Sequence, residues 1–230
     1  MANLDNEVDK IRQRYEFRDQ SEVIKSRWTP FRPAEIRFRN YQQTAIANAF
    51  RSVGWDSFEG KKILDVGCGS GRILRQFVDY GALPENLYGT DVSESRIASA
   101  RALSPNIGFS LSRGDALDFA DGSFDVVTQF VVFSSIYTES LRNHLAREMT
   151  RVLKPGGYIF WWDTLQTVHE ENIELLDIPS CFPGMPVRSE YFGQGLSGMV
   201  AGVRSAIDGP VRVLLRRGAS HMAALIGPKL

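Results

Sequence analysis

Most of what this chain lacks narrows what it can be. Cysteine is scarce: Cys68 and Cys181 are the only two, far apart and outside any metal-ligand spacing. That argues against a zinc site or a disulfide scaffold and for a reducing compartment. Excess charge is missing too. Lys and Arg number 27, as do Asp and Glu, so no global field draws in nucleic acid or an anionic membrane. Arginines crowd the N-terminal region from Arg12 to Arg39, but acids from Asp5 to Glu35 offset them, as on a solvated mixed-charge helix. No apolar run approaches the roughly 20 residues of a membrane span, and the opening MANLDNEVDK has no apolar signal segment. No cluster of carboxylates or histidines suggests a metal. The expectation is a cytoplasmic protein with no metal, membrane or nucleic-acid partner.

What is present is 230 residues, 43% hydrophobic and 23% charged, enough for one domain whose core needs no disulfides. From Lys61 onward strand-like and helix-like stretches alternate. Strands are predicted at Lys62–Val66, Asn86–Asp91, Ile107–Ser112, Phe124–Phe130 and Tyr158–Trp162. Between them lie a helix ending near Tyr80 with Gly81 as its stop and another over Glu94–Ala102 with Ser93 as its cap. A third, over Glu139–Leu153, is closed by Lys154-Pro155-Gly156-Gly157. The continuous apolar run Phe124–Phe130 reads as a strand buried on both faces. Together these predict an α/β fold, a doubly wound, mostly parallel sheet with ligands at the carboxyl ends of its strands. Residues 5–50 read as helical, broken at Thr29–Pro33, and form an N-terminal helical cap over 1–58 that makes one compact unit with the domain 59–230. Near the C-terminus, Ile173–Leu176 reads as helical, Pro179–Pro186 as a loop, and Val187–Phe192 and Ser220–Ile226 as strands; 193–218 has no assignment.

The richest segment is Lys61–Leu74, KKILDVGCGSGRIL, a strand, a glycine-rich turn and a helix start. Such a turn presents backbone N–H groups and a helix N-terminus to a ligand. A dinucleotide loop would need a third glycine at position 72, where Arg72 stands, and a phosphate-binding P-loop would need Gly-Lys-Ser/Thr, which is absent. The pattern is Asp65-x-Gly67-x-Gly69-x-Gly71. An acid there repels a pyrophosphate and favours a ligand with an ammonium or sulfonium centre.

In order along the chain, these residues resemble the class I S-adenosylmethionine-dependent methyltransferases. Ile63 to Gly71 resembles the family's first motif, and Asp91 closes the second strand where the family keeps an acid for the ribose hydroxyls. Gly114-Asp115-Ala116 resembles the adenine turn, Ser123-Phe124-Asp125-Val126-Val127 the fourth-strand motif, and Leu153 to Gly157 the signature before the fifth strand. The resemblance implies a Rossmann-like seven-stranded sheet and S-adenosylmethionine as cofactor, with S-adenosylhomocysteine as product. It implies a binding set of Asp65, Gly67, Cys68, Gly69, Gly71, Arg72, Asp91, Val92, Asp115, Ala116, Gln129 and Phe130. Arg72 reads equally as a surface cation or as a contact to the cofactor carboxylate; Phe130 reads equally as core. Asp125, at the strand's far end, reads as structural. The segments Arg14-Tyr15…Arg18, Glu148–Gly157 and Ser220–Ile226 further resemble a bacterial small-molecule branch, methyltransferase type 11/25-like, often tied to polysaccharide or secondary-metabolite biosynthesis.

Methyl transfer is an in-line displacement governed by positioning, and an oxygen nucleophile usually needs a base. Asp163, just past the predicted strand Tyr158–Trp162, is the expected base, with a cap through Thr164 as its other reading. His144, His169 and His221 form no constellation. Phe133, Ser134, Ser135, Ile136 and Tyr137 are expected to line an acceptor pocket covered by Tyr15, Trp28 and Phe31. With Trp161 and Trp162 flanking it, such a site suits a planar or sugar-like acceptor. The expected function is methyl transfer to a small molecule, chiefly a hydroxyl of a sugar or secondary metabolite. N-methylation of a small amine, or a non-catalytic cofactor-binding subunit, are the alternatives. An RNA or protein substrate is disfavoured by the absent basic patch and by Gln129-Phe130-Val131-Val132 in place of Asn/Asp-Pro-Pro-Tyr/Phe. Monomer and homodimer both stay open.

Overall fold

The structure, a computed structural model, describes residues 2–27, 29–112, 116–169, 172–175, 177–192 and 220–230. Three helices come first: α1 Ala2–Gln20, α2 Glu22–Arg27 and α3 Pro33–Arg51. Strand and helix then alternate through β1 Ile63–Val66, α4 Arg72–Asp79, β2 Leu87–Asp91, α5 Glu94–Leu103, β3 Gly108–Leu111, β4 Phe124–Phe130, α6 Glu139–Val152 and β5 Leu153–Thr164. After them come β6 Gln166–His169, β7 Asn172–Leu175, the single turn α7 Ile178–Cys181, β8 Val187–Phe192 and β9 His221–Ile226. Seven strands form one sheet in the order β3-β2-β1-β4-β5-β9-β8. Strands β1 to β5 pair in parallel, and β9 runs antiparallel to both of its neighbours.

Parallel strands linked by helices need both faces covered, because each crossover returns over one face. One face packs against α1, α6 and α7 through Val8, Leu145, Met149 and Phe182. The other packs against α3, α4 and α5 through Ile46, Phe50, Leu74 and Ile97. Ala45, Ile46 and Phe50 of α3 sit in the same cluster as Ile63 and Phe160, so this helix is built into the core. The side chains of β5 alternate between faces: Trp161 belongs to the first cluster and Trp162 to the second, both fully buried. Neither tryptophan flanks an acceptor site, contrary to expectation, because both lie in the strand interior where alternation drives every ring into one core or the other.

Three further readings differ. Ile173–Leu176, read as helical, contains a strand instead: Asn172–Leu175 pairs antiparallel with Gln166–His169. Ile173-Glu174-Leu175-Leu176 is too short for its apolar spacing to fix the period, and the partner strand decides. Lys154-Pro155-Gly156-Gly157, read as a helix stop, lies inside β5, which begins at Leu153 opposite Phe124. The register shifts between Phe124 and Val126, and this irregularity accommodates a proline and Gly156 at φ +77. The expected loop Pro179–Pro186 opens on α7. Residues 193–218, Asp115 and Trp28 lie outside the described residues.

Helix α1 is tied to the C-terminal side of the sheet by specific polar contacts. The Glu7 carboxylate, 6% exposed, accepts from Tyr137 N (2.6 Å), Thr138 N (2.9 Å) and Thr138 Oγ1. It therefore sits at the N-terminus of α6, where orphan N–H groups and the helix dipole favour an anion. Arg14 donates to Ser135 O and Tyr137 Oη, and Asp19 accepts both ends of the Arg96 fork at 2.6 and 2.7 Å. Removing the Glu7 carboxylate leaves donors unpaired at a largely buried helix end. Glu7→Ala is expected to cost about 1–3 kcal/mol, and Glu7→Gln less. Urea unfolding checks this: an unchanged midpoint at unchanged slope would show that the contact contributes nothing.

Candidate active site

The loops after β1, β2 and β4 meet at one cleft of about 840 Å³. After Val66, Gly67 adopts φ +72, and a Cβ there would collide with the Val132 side chain. Gly69 follows at φ +54. The loop thus turns twice through conformations open to glycine, and Gly67 N and Cys68 N donate to Thr90 O at 2.7 and 2.9 Å. Gly71, also left-handed, precedes α4 without a side-chain cap, so the first-turn N–H groups of α4 have no side-chain acceptor at Gly71.

Asp91, at the end of β2, is 7% exposed and lines the cleft. Its Oδ2 accepts from Gly69 N at 2.8 Å and its Oδ1 from Ser93 N at 2.9 Å. A carboxylate has about four acceptor sites, so each oxygen keeps capacity for a further donor from the cleft. Val92 lines the same wall.

Asp65 lies at the floor of the cleft, 1% exposed. Burial pushes its carboxyl up to about 7, against the lowering effects of the Thr128 hydroxyl, which donates at 2.6 Å, and of Arg72. Burial outweighs the single hydrogen bond and the nearby cation together. Arg72 is half-buried, lines the cleft and donates to Gln42 Oε1 at 2.6 Å. It is no surface cation: desolvation, with Arg39 nearby, lowers its pKa. Cys68 also lines the cleft, its thiol pushed up by burial and held against Gly69 O.

At the end of β4 the residues divide. Phe130 lines the cleft; Gln129 does not. Fully buried, Gln129 accepts from Val132 N with Oε1 and donates to Trp162 O with Nε2. That brace holds Val131 at φ +61, a β-branched residue in the left-handed region, where strain costs on the order of 1–3 kcal/mol. Ala116 is exposed, its carbonyl accepting from Ser112 Oγ, and it is Ser112 that lines the cleft.

The expected acceptor residues are largely redistributed. Phe133 is core, 4.2 Å from the Trp161 ring centroid. Ser134 turns its backbone N–H to Asp163. Tyr137, 41% exposed, holds Arg14 instead of facing the cleft. Phe31 is 89% exposed. Tyr15 does line the cleft, its hydroxyl 2.6 Å from Ser135 Oγ, with the Arg96 guanidinium 4.4 Å above its ring.

Asp163 does not reach the cleft. β5 runs on to Thr164, so Asp163 lies inside the strand, fully buried opposite Met222. Burial raises its pKa to about 6, and it accepts from Thr164 N at 2.8 Å and Ser134 N at 3.2 Å. Its geometry is that of a brace for the turn Phe133–Ser135, not that of a base facing an acceptor. A titratable side chain that does line the cleft, beside the end of β5, is His221. The signal for it was its place at the start of the last strand: where that strand runs antiparallel beside β5, its first residue falls at the carboxyl edge.

A sheet of this order, with a glycine loop after β1 and an acid closing β2, is the fold shared by solved S-adenosylmethionine-dependent methyltransferases. Residues 64–161 match the family described as "Methyltransferase domain". Over 106 residues it is 37% identical to a 2-methyl-6-phytyl-1,4-hydroquinone methyltransferase of Synechocystis sp., covering 44% of this chain and 31% of that protein. Over 142 residues it is 30% identical to an O-methyltransferase of Aspergillus sclerotiorum, covering 58% and 52%. The chain thus spans about a third to a half of these curated relatives. An S-adenosylmethionine-dependent methyltransferase from Mesorhizobium loti shares the fold at TM-score 0.56 and 18% identity, over 81% of this chain and all of that one.

The Asp65 environment yields a signed pH dependence. In the folded protein Asp65 holds its proton up to about pH 7; in the unfolded chain it releases it near 3.8. Between these values the folded state binds more protons, so this group's contribution to stability falls as pH rises. Denaturation of wild type and Asp65→Asn from about pH 5 to about pH 8 should show that fall in wild type alone, other groups cancelling. A cationic ligand needs the ionised form. Affinity for S-adenosylhomocysteine, through its ammonium, is therefore expected to climb up to about tenfold per pH unit and level off above about pH 7. Parallel profiles in both proteins would contradict this.

Proposed function

We propose that this chain binds S-adenosylmethionine in the cleft and transfers its methyl group to a hydroxyl of a small molecule. The observation that carries the reading is Asp91: a carboxylate fixed by Gly69 N and Ser93 N, facing a deep cleft with acceptor capacity to spare. Its free capacity suits the paired hydroxyls of a ribose. Asp65 and Arg72, a carboxylate and a guanidinium lining the same cleft, suit the ammonium and carboxylate of the cofactor's amino-acid end. When bound, the cofactor supplies an electrophilic methyl on a sulfonium. Everything else is positioning. The glycine loop and Asp91 hold the nucleoside, Phe130 and Val131 wall the reacting end, and α1 adds a largely apolar wall through Val8, Ile11 and Tyr15.

A small acceptor is supported by the size of the cleft and by the wall that α1 gives it. The named relatives include a hydroquinone methyltransferase and an O-methyltransferase, which agrees with a hydroxyl-bearing molecule.

Calorimetry with S-adenosylhomocysteine tests the binding half. Asp91→Ala is expected to weaken binding about tenfold to a hundredfold, as for loss of hydrogen bonds to a charged group. Transfer of labelled methyl to a panel of hydroxylated metabolites tests the other half. Absence of binding by wild type at millimolar ligand would overturn the reading.

A further inference from the structure

Beyond the glycine loop the cleft extends to the place where β9 begins. Because β9 runs antiparallel to β5, its first residue, His221, pairs with Thr164, the last of β5. His221 is thereby brought to the sheet edge that carries the ligand loops. His221, Thr164, Phe38 and Phe130 all line the same cleft as Asp65 and Asp91.

The imidazole is held firmly. It stacks on the Trp162 indole at 5.6 Å between centroids and 17° between planes, and Phe38 meets it at 5.0 Å and 64°. Ser220 Oγ lies 2.8 Å from Nδ1. With that hydroxyl accepting from Nδ1–H, the lone pair of Nε2 is the ring's remaining polar function. Nε2 has no hydrogen-bond partner among the described residues. The nearby charges on α3, Glu35 and Arg39, are paired with each other at 2.9 Å. Burial alone pushes the imidazole down to about 4, so it stays neutral at ordinary pH and remains able to accept.

We infer that His221 Nε2 accepts the hydroxyl proton of the methyl acceptor, a small planar molecule of phenol type seated against Phe38 and Phe130. The inference rests on the proposed methyl transfer. In that step the hydroxyl oxygen forms the new O–C bond, and the C–S bond of the sulfonium donor breaks with its electron pair left on sulfur. The O–H proton passes to Nε2 and then to solvent. As the O–C bond forms, the oxygen becomes a far stronger acid, so a weakly basic imidazole takes the proton downhill. The aromatic walls favour a flat apolar ring over a sugar, because stacked or edge-on rings gain about 0.5–1.5 kcal/mol beyond the area they bury.

The test uses 4-methylphenol as probe on the full chain saturated with S-adenosylhomocysteine, with toluene as the hydroxyl-free control. In wild type, 4-methylphenol should bind saturably and move the His221 Nε2 resonance in 15N NMR, in the Nδ1–H tautomer; toluene should leave that resonance in place. His221→Phe, which keeps a stacking ring, should weaken 4-methylphenol about tenfold. Its affinity for S-adenosylhomocysteine should change by less than about twofold. His221→Gln should restore part of the lost affinity. No saturable binding, equal binding by His221→Phe, or binding that leaves Nε2 unmoved would each overturn the inference. Failure of wild type to bind S-adenosylhomocysteine would instead remove the reading beneath it, and the inference with it.

Discussion

The Asp91 carboxylate holds together the two turns on which the cleft depends. Its oxygens take Gly69 N and Ser93 N, while the preceding carbonyl, Thr90 O, takes Gly67 N and Cys68 N. The loop after β1 and the turn into α5 are thus fixed to one another by the last two residues of β2. Both loops spend backbone donors on this junction, and the glycines allow the turn that brings those donors into place. The strained Val131 on the opposite wall is held in the same manner, by Gln129, Trp162 O and Ser135. The cleft is therefore shaped before any ligand arrives, and ordering costs that would weaken binding are met in folding.

Two aspartates at opposite ends of neighbouring strands show how location decides chemistry. Asp125, at the start of β4, accepts from Lys62 N and Lys154 Nζ, both at 2.8 Å, and those contacts outweigh its partial burial, so its pKa falls. Asp65, at the end of β1, has one hydroxyl and a more distant arginine against full burial, and its pKa rises to about 7. The first is satisfied within the fold. The second is left with a raised pKa in the cleft, and under the proposed function a cation from outside completes it.

Much of this was legible in the sequence. Buried parallel strands are written as short apolar runs, so β4 was readable to the residue and β1, β2 and β9 to within one or two at each end. Ser93 caps α5 as its position suggests, its hydroxyl accepting from Arg96 N. The acceptor side was less legible because it depends on where strands end relative to their neighbours. Asp163 looked terminal until pairing with Met222 placed it inside β5. Phe133, Trp161 and Trp162 looked like pocket aromatics, yet alternation on a doubly covered sheet sends them into the core. His221 looked like an incidental strand residue because its importance comes wholly from the direction of β9.

The most direct measurement of the central claim is a crystal structure of the protein with S-adenosylhomocysteine. The account predicts ribose hydroxyls on Asp91, the ammonium of the amino-acid end toward Asp65, and the sulfur turned toward the part of the cleft that ends at His221. A nucleoside bound away from Asp91, or a sulfur facing away from that end, would contradict it.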